Sequence, residues 1–157
     1  MQIDRKLYDP ALHDIYKALT VKQPFADLLT KMVGRDEDGN PIAEKTIELR
    51  PRKTNYRGEL LICSSKNPVI PGHQSACTCG LVELYDCIPV EEFTEQDWRA
   101  TCIPSEQRGN WKKCYGWKLR HPRRVIEMPI KGQLGIYDLV VPKDDITEYP
   151  TRIIYDL

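Results

Sequence analysis

Apolar and polar residues alternate with a period of two in several short runs of this 157-residue chain, and segments rich in Pro, Gly and Ser separate those runs. "AEKTIELRPRKTNYRGELLI", residues 43–62, reads as strand, turn, strand, with Ile47 and Leu49 on one face and Thr46, Glu48 and Arg50 on the other. The same pattern predicts strands at 17–22 ("KALTVK"), 44–50, 58–64, 77–90 ("CTCGLVELYDCIPV"), "CYGWKLRH" and "QLGIYDLVV". Gly80 permits a bend or bulge in the longest of them. A 3.6-residue period appears once, in "QPFADLLTKMVG" (23–34). There Phe25, Leu28, Leu29 and Met32 form one stripe, Pro24 suits the first helical position and Gly34 the end. "FTEQDWRATC" predicts a second helix, with Thr94 as N-cap and Asp97 in the capping-box position. "RDEDGNPIA" reads as a polar loop turning at Asp38–Pro41, and residues 1–17 as a leader that becomes helical after Pro10. About six strands with two inserted helices make a mainly β domain of barrel or sandwich type rather than a parallel α/β sheet. A small barrel also protects sheet edges.

Composition adds little to that picture. Hydrophobic residues make up 41% and charged residues 29%, ordinary for one globular domain with a genuine core. Lys+Arg and Asp+Glu both number 23, so whole-chain charge favours neither nucleic acid nor membrane. The distribution is less even: "RGNWKKCYGWKLRHPRR" (108–124) contains no acid and predicts either a basic face for a polyanion or a solvated basic loop. No run reaches the ~20 apolar residues needed to span a bilayer, and the N-terminal stretch has no signal-peptide character. The expectation is a cytoplasmic protein with no membrane partner and with its six cysteines as reduced thiols. His73, Cys77 and Cys79 are metal-ligand types, but the two cysteines are two apart and no second pair follows, so neither metal nor cofactor is expected.

"LTVKQPFADLL", "EKTIELRPRKTNYRGELLICSSK", "GLVELYDC", "YGWKL" and "KGQLGIYDL" occur in order and together resemble the ASCH domain, a PUA-like family. The resemblance covers about 18–141, leaving 1–17 as leader and 142–157 as tail. It implies a six-stranded β-barrel with a helix after the first strand. The family's G-x-K-x-x-E-x-R motif is matched by Ala43 through Arg50, with Ala43 in place of the first glycine. What the resemblance implies for function is a polar cleft, lined by this motif, that holds RNA or a modified nucleoside. Some relatives are amidohydrolases that deacetylate N4-acetylcytidine with the motif lysine, a hydroxyl-bearing residue three positions later and a distant glutamate. Others are similar to nucleases. Here the lysine is Lys45, but the position three later is Glu48 rather than threonine.

Read from the residues, Lys45, Glu48 and Arg50 are complementary. Arg50 offers a fixed fork to a phosphate, or to Glu48 itself. Glu48 can accept a proton or an N–H from a nucleobase edge, and Lys45 can stabilise an oxyanion or act as a base. Strand parity turns Lys45 toward the core unless it sits in a turn or bulge before the strand, and that irregularity is expected. A structural ion-pair ladder on a barrel rim is the plain alternative. Further candidates for ligand or nucleic-acid contact are Lys22 and Gln23 at a helix entry, Tyr56 and Arg57 at a strand start, and Ser64, Ser65 and Lys66 at a strand end. Tyr115 and Trp117 share parity and could stack on a base, with barrel-core packing the expected role for at least one of them. Lys131 and Gly132 lie where they could close the cleft or simply form the turn before the last strand. The expected function is binding of RNA or a nucleoside. The alternative is a small hydrolase, an amidohydrolase or ribonuclease, using Lys45 and Glu48, and a third reading is a protein-interaction module whose "TRIIYDL" tail adds a strand to a partner.

Overall fold

Continuous apolar runs such as "ELLICS" suit strands buried on both faces, and the central strands of the sheet are built that way. The structure, a computed structural model, describes residues 1–150. The segment "TRIIYDL" and the expectation placed on it lie outside the described residues. In chain order the strands are β1 (His13–Val21), β2 (Met32–Arg35), β3 (Pro41–Ala43), β4 (Ile47–Arg50), β5 (Gly58–Ser64), β6 (Thr78–Pro89), β7 (Tyr115–Arg124) and β8 (Ile136–Pro142). The helices are α1 (Phe25–Thr30) and α2 (Glu95–Ala100). Six strands form one sheet in the order β4-β7-β6-β5-β1-β8, which curls into a half-barrel, and β2 pairs with β3 alone. The fold is the mainly β, PUA-like architecture with a helix after the first strand.

Alternation along β5 divides the core. Leu60 and Ile62 join Leu19, Val21, Ala26, Leu29, Val82, Leu84 and Trp117 on the side that α1 covers. Leu61 and Cys63 point the other way, toward Ala18, Leu81, Leu139 and Val141. Burying one side chain of the Leu29 type is worth about 1.5–3 kcal/mol, so α1 is fixed by its inner face rather than by helix propensity. β1 and β5 are parallel neighbours, with Ala18 opposite Leu61 and Val21 opposite Ser64. A parallel pair needs a crossover, and α1 with the β2–β3 hairpin provides it.

Three expectations are corrected. The segment after Pro10 is strand, because β1 begins at His13 and pairs with β8 from His13 opposite Pro142 onward. The helix predicted to Gly34 ends at Thr30. Met32 and Gly34 pair with Ala43 and Ile42, so hairpin pairing overrides the helical stripe. The predicted loop is that hairpin's turn, closed by the Asp36 carboxylate on the backbone N–H groups of Asp38 and Asn40, with Gly39 at φ +82°. Elsewhere the pattern holds. A bulge beside Gly80 leaves Cys79 unpaired between Ile62–Gly80 and Cys63–Thr78. Thr94 and Asp97 form the reciprocal capping box of α2.

Candidate functional site

Residues 44–46 leave β3 irregularly and are gripped from two sides. The Lys45 N–H donates to Leu28 O near the end of α1 at 3.1 Å, and the Thr46 N–H donates to Ala100 O at the end of α2 at 2.9 Å. This grip lifts Lys45 out of the β4 alternation, as the pattern of charges required. Its side chain runs inward and is 2% exposed. There Nζ donates to Thr101 O at 2.6 Å, lies 3.4 Å from Glu48 Oε1 and sits 4.9 Å from the Phe25 ring centroid. Burial pushes the Lys45 pKa below its ordinary value, and the negative charge of Glu48 works against that shift.

Glu48 is the middle of the triplet and is 8% exposed. Arg50 closes on its other oxygen, with Nε 3.1 Å and Nη2 2.9 Å from Oε2. The same guanidinium donates to Thr20 O at 3.0 Å and lies 5.9 Å from the Trp117 ring centroid. One carboxylate is thus held by a cation on each side, which fixes its rotamer and its direction.

The triplet forms one wall of a hollow of about 480 Å³. Thr20 and Lys22 at the end of β1, and Phe25 of α1, make the second wall. Ile103 and Trp111 from the connection after α2 and the segment Gln133–Gly135 complete it. A second hollow of about 540 Å³ adjoins it, since Thr20, Ser65, Gln133 and Leu134 line both. Lys45 also borders a smaller hollow of about 290 Å³, whose other walls come from the β2–β3 hairpin and β7, away from Glu48 and Arg50.

Of the predicted residues, Lys45, Glu48, Arg50, Lys22 and Ser65 meet at the first hollow, and Ser64, Ser65, Lys66, Lys131 and Gly132 at the second. Ser64 is itself buried, its hydroxyl accepting from Cys77 N–H at 3.1 Å. Gln23 is a structural tie: its Nε2 donates to Gln74 O, and its Oε1 accepts from Asp27 N–H. Tyr56 and Arg57 bond back to Glu59 O and Thr54 O and line neither hollow.

Of the two roles open to the aromatic pair, Trp117 takes core packing. Trp117 is 5% exposed in the core, with its Nε1 donating to Arg52 O at 3.0 Å, and Tyr115 packs beside it. The rings at the first hollow are those of Phe25 and Trp111 instead. Phe25 read as part of a helical core stripe and Trp111 as a loop residue within a basic run.

The acid-free run meets acids from distant segments. Arg108 makes a two-point contact with Glu95, Arg120 with Glu83, Arg123 pairs with Glu59, and Arg124 with Asp27 and Glu127. His73 Nδ1 lies 2.6 Å from Asp27 Oδ2. Among the described residues no cluster of three or more His, Cys, Asp or Glu is spaced to hold a metal ion, and no helix is long and apolar enough to cross a membrane.

No match was found among curated proteins. The ASCH domain family model matches residues 42–128, from the last residues of β3 past the end of β7 and including the whole Lys45–Arg50 motif. With more than half of the chain matched and the motif folded into one wall of a hollow, the chain belongs to the ASCH domain family.

Proposed function

We propose that this ASCH domain binds RNA or a nucleoside by taking one base into the hollow beside Glu48. The observation that carries the reading is a nearly buried carboxylate, fixed between Lys45 and Arg50, on the wall of a hollow of about 480 Å³. Hollows of a few hundred Å³ with few, well-fixed polar groups suit small organic ligands. A fixed carboxylate accepts well from a base's exocyclic amine. Phe25 and Trp111 offer faces for the ring, and stacking of this kind is worth about 1–3 kcal/mol. The six cysteines are free thiols, which suits a cytosolic setting.

Hydrolysis is the second reading, favoured by one observation: a buried lysine with a lowered pKa beside a carboxylate is a known acid–base pairing. Against it, Lys45 Nζ is committed to Thr101 O at 2.6 Å. Glu48 also occupies the place where the resemblance would put a hydroxyl.

Calorimetric titration with cytidine, N4-acetylcytidine and a short single-stranded RNA tests both, with wild type beside Glu48→Gln. Micromolar to millimolar binding that falls about ten-fold in the variant is expected, on the scale of one charge-assisted hydrogen bond. Equal affinity in both proteins would remove Glu48 from the site. Acetate release that depends on Lys45 would move the conclusion to the hydrolase.

A further inference from the structure

The second hollow differs from the first in charge. Among the described residues no carboxylate lines it, and it is flanked by Lys66, just after β5, and Lys131, ahead of β8. Glu48 is the single carboxylate among the described residues lining the two hollows, and it is already engaged by Lys45 and Arg50. Lys22 stands at the first hollow, so five cations face that one carboxylate across the combined lining. This concentration occurs in a chain whose Lys+Arg and Asp+Glu are equal at 23. Among the described residues Lys22, Lys66 and Lys131 make no ion pair.

The topology explains why these cations gather. In the sheet β1 lies between β5 and β8. Val21 is opposite Ser64, and Leu19 is opposite Ile136. The end of β1, the end of β5 and the start of β8 therefore share one rim, and the residues just beyond them, Lys22, Lys66 and Lys131, stand around it. Ser65 and Gln133, each with a polar side chain, line both hollows.

We infer that the second hollow is a phosphate subsite, so that the preferred ligand is a phosphate-bearing nucleotide, free or within an RNA strand, rather than a bare nucleoside. This rests on the base-binding reading given above. Two ammonium groups on flexible stems, without an ion pair among the described residues, suit an anion recognised as a point charge. The paired cations of the 108–124 run are poorly placed to supply that charge, because carboxylates already neutralise most of them.

The test compares cytidine and adenosine, whose exocyclic amines suit Glu48, with their 5′-monophosphates, their 3′-monophosphates and the corresponding dinucleotides, and with inorganic phosphate alone. Wild type should bind at least one phosphorylated form about ten-fold more tightly than the nucleoside at low salt. Added salt should erode that advantage. The Lys66→Ala/Lys131→Ala variant should bring the nucleotide-to-nucleoside ratio close to one, and Lys66→Arg/Lys131→Arg should restore it. Both lysines are exposed, and unchanged melting temperatures will show that the fold is intact. Gain with a monophosphate identifies a free nucleotide as the source of the phosphate, and gain confined to the dinucleotide identifies a strand.

An equal affinity for nucleoside and nucleotide, or an advantage that survives the double alanine change, overturns the subsite while leaving base binding in place. A lysine-dependent advantage that Glu48→Gln does not touch overturns the base pocket and keeps the phosphate site. Failure of every compound to bind overturns both.

Discussion

Replacing Lys45 by methionine removes the ammonium while keeping an unbranched apolar stem out to the ε position, and the consequences can be worked out contact by contact. The substitution deletes a charge-assisted bond to Thr101 O at 2.6 Å, an ion pair to Glu48 at 3.4 Å and a cation–ring contact to Phe25 at 4.9 Å. It leaves the Thr101 carbonyl without that donor in a buried setting, which costs about 1–3 kcal/mol. It also leaves Glu48, 8% exposed, with Arg50 as its remaining cation. Relief of the ammonium's own desolvation offsets part of this loss. The net expectation is about 2–4 kcal/mol of destabilisation, a melting temperature roughly 5–15 °C lower for a domain of this size.

The pH dependence makes this test sharper. Burial lowers the folded-state pKa of Lys45, so between that value and the ordinary lysine value of about 10.4 the unfolded chain binds more protons than the folded one. Wild-type stability therefore gains a contribution from Lys45 as pH rises through that window, and Lys45→Met lacks this contribution. Thermal melts from neutral to alkaline pH, followed by circular dichroism, measure both effects. A variant that melts at or above wild type, with the same alkaline slope and the same nucleoside affinity, would refute the description of Lys45 as the buried support of Glu48.

Trp111→Ala should weaken nucleoside binding about ten-fold while changing the melting temperature little, because the ring is only partly buried at the hollow; titration and melting together check it. In Gly132→Ala the new Cβ falls 2.6 Å from Thr20 Oγ1, which is itself bonded to Tyr137 OH, so the 131–135 segment must shift. A loss of about 1–3 kcal/mol and weaker nucleotide binding are expected in the same two assays. For Asp27, burial raises the carboxyl pKa, but the hydrogen bond from His73 and the charge of Arg124 more than reverse this, and the net value is lowered. Its stabilisation is present above the unfolded value of about 3.9 and lost as pH falls through the folded one. Asp27→Asn should therefore flatten the acid limb of the stability curve and lower stability at pH 7, as measured by urea titration across pH.

Strands β4 to β8 were legible because their alternation and boundaries are local properties, and so was the cap at Thr94, which needs only residues three apart. The helix stripe misled beyond Thr30. Met32 fits the helical period as well as it fits a strand, and only pairing with Ala43 decides between them. The same limit governs the site. The charges of Lys45, Glu48 and Arg50 lie within six residues and could be read together. The partners of the 108–124 cations, by contrast, stand mostly on β5, β6, α1 and α2, with Glu127 outside them. Parity cannot say which face of a curled sheet is filled by a core, so stacking and core packing both stay open for Trp117 in the sequence, and a long connection carries no period that would single out Trp111.

The parallel alignment of β1 and β5 has a consequence for how such a domain can diversify. Both strands emerge at the same level, Val21 beside Ser64; β1 turns into the buried helix α1, whereas β5 continues into the exposed stretch 66–69. Changes in the length or lettering of that exposed stretch would reshape the mouth while the paired strands beneath stay in register. Chemical preference carried on the exposed stretch can then drift apart from the strand pairing, whereas the wall of Lys45, Glu48 and Arg50 serves both and can change neither alone.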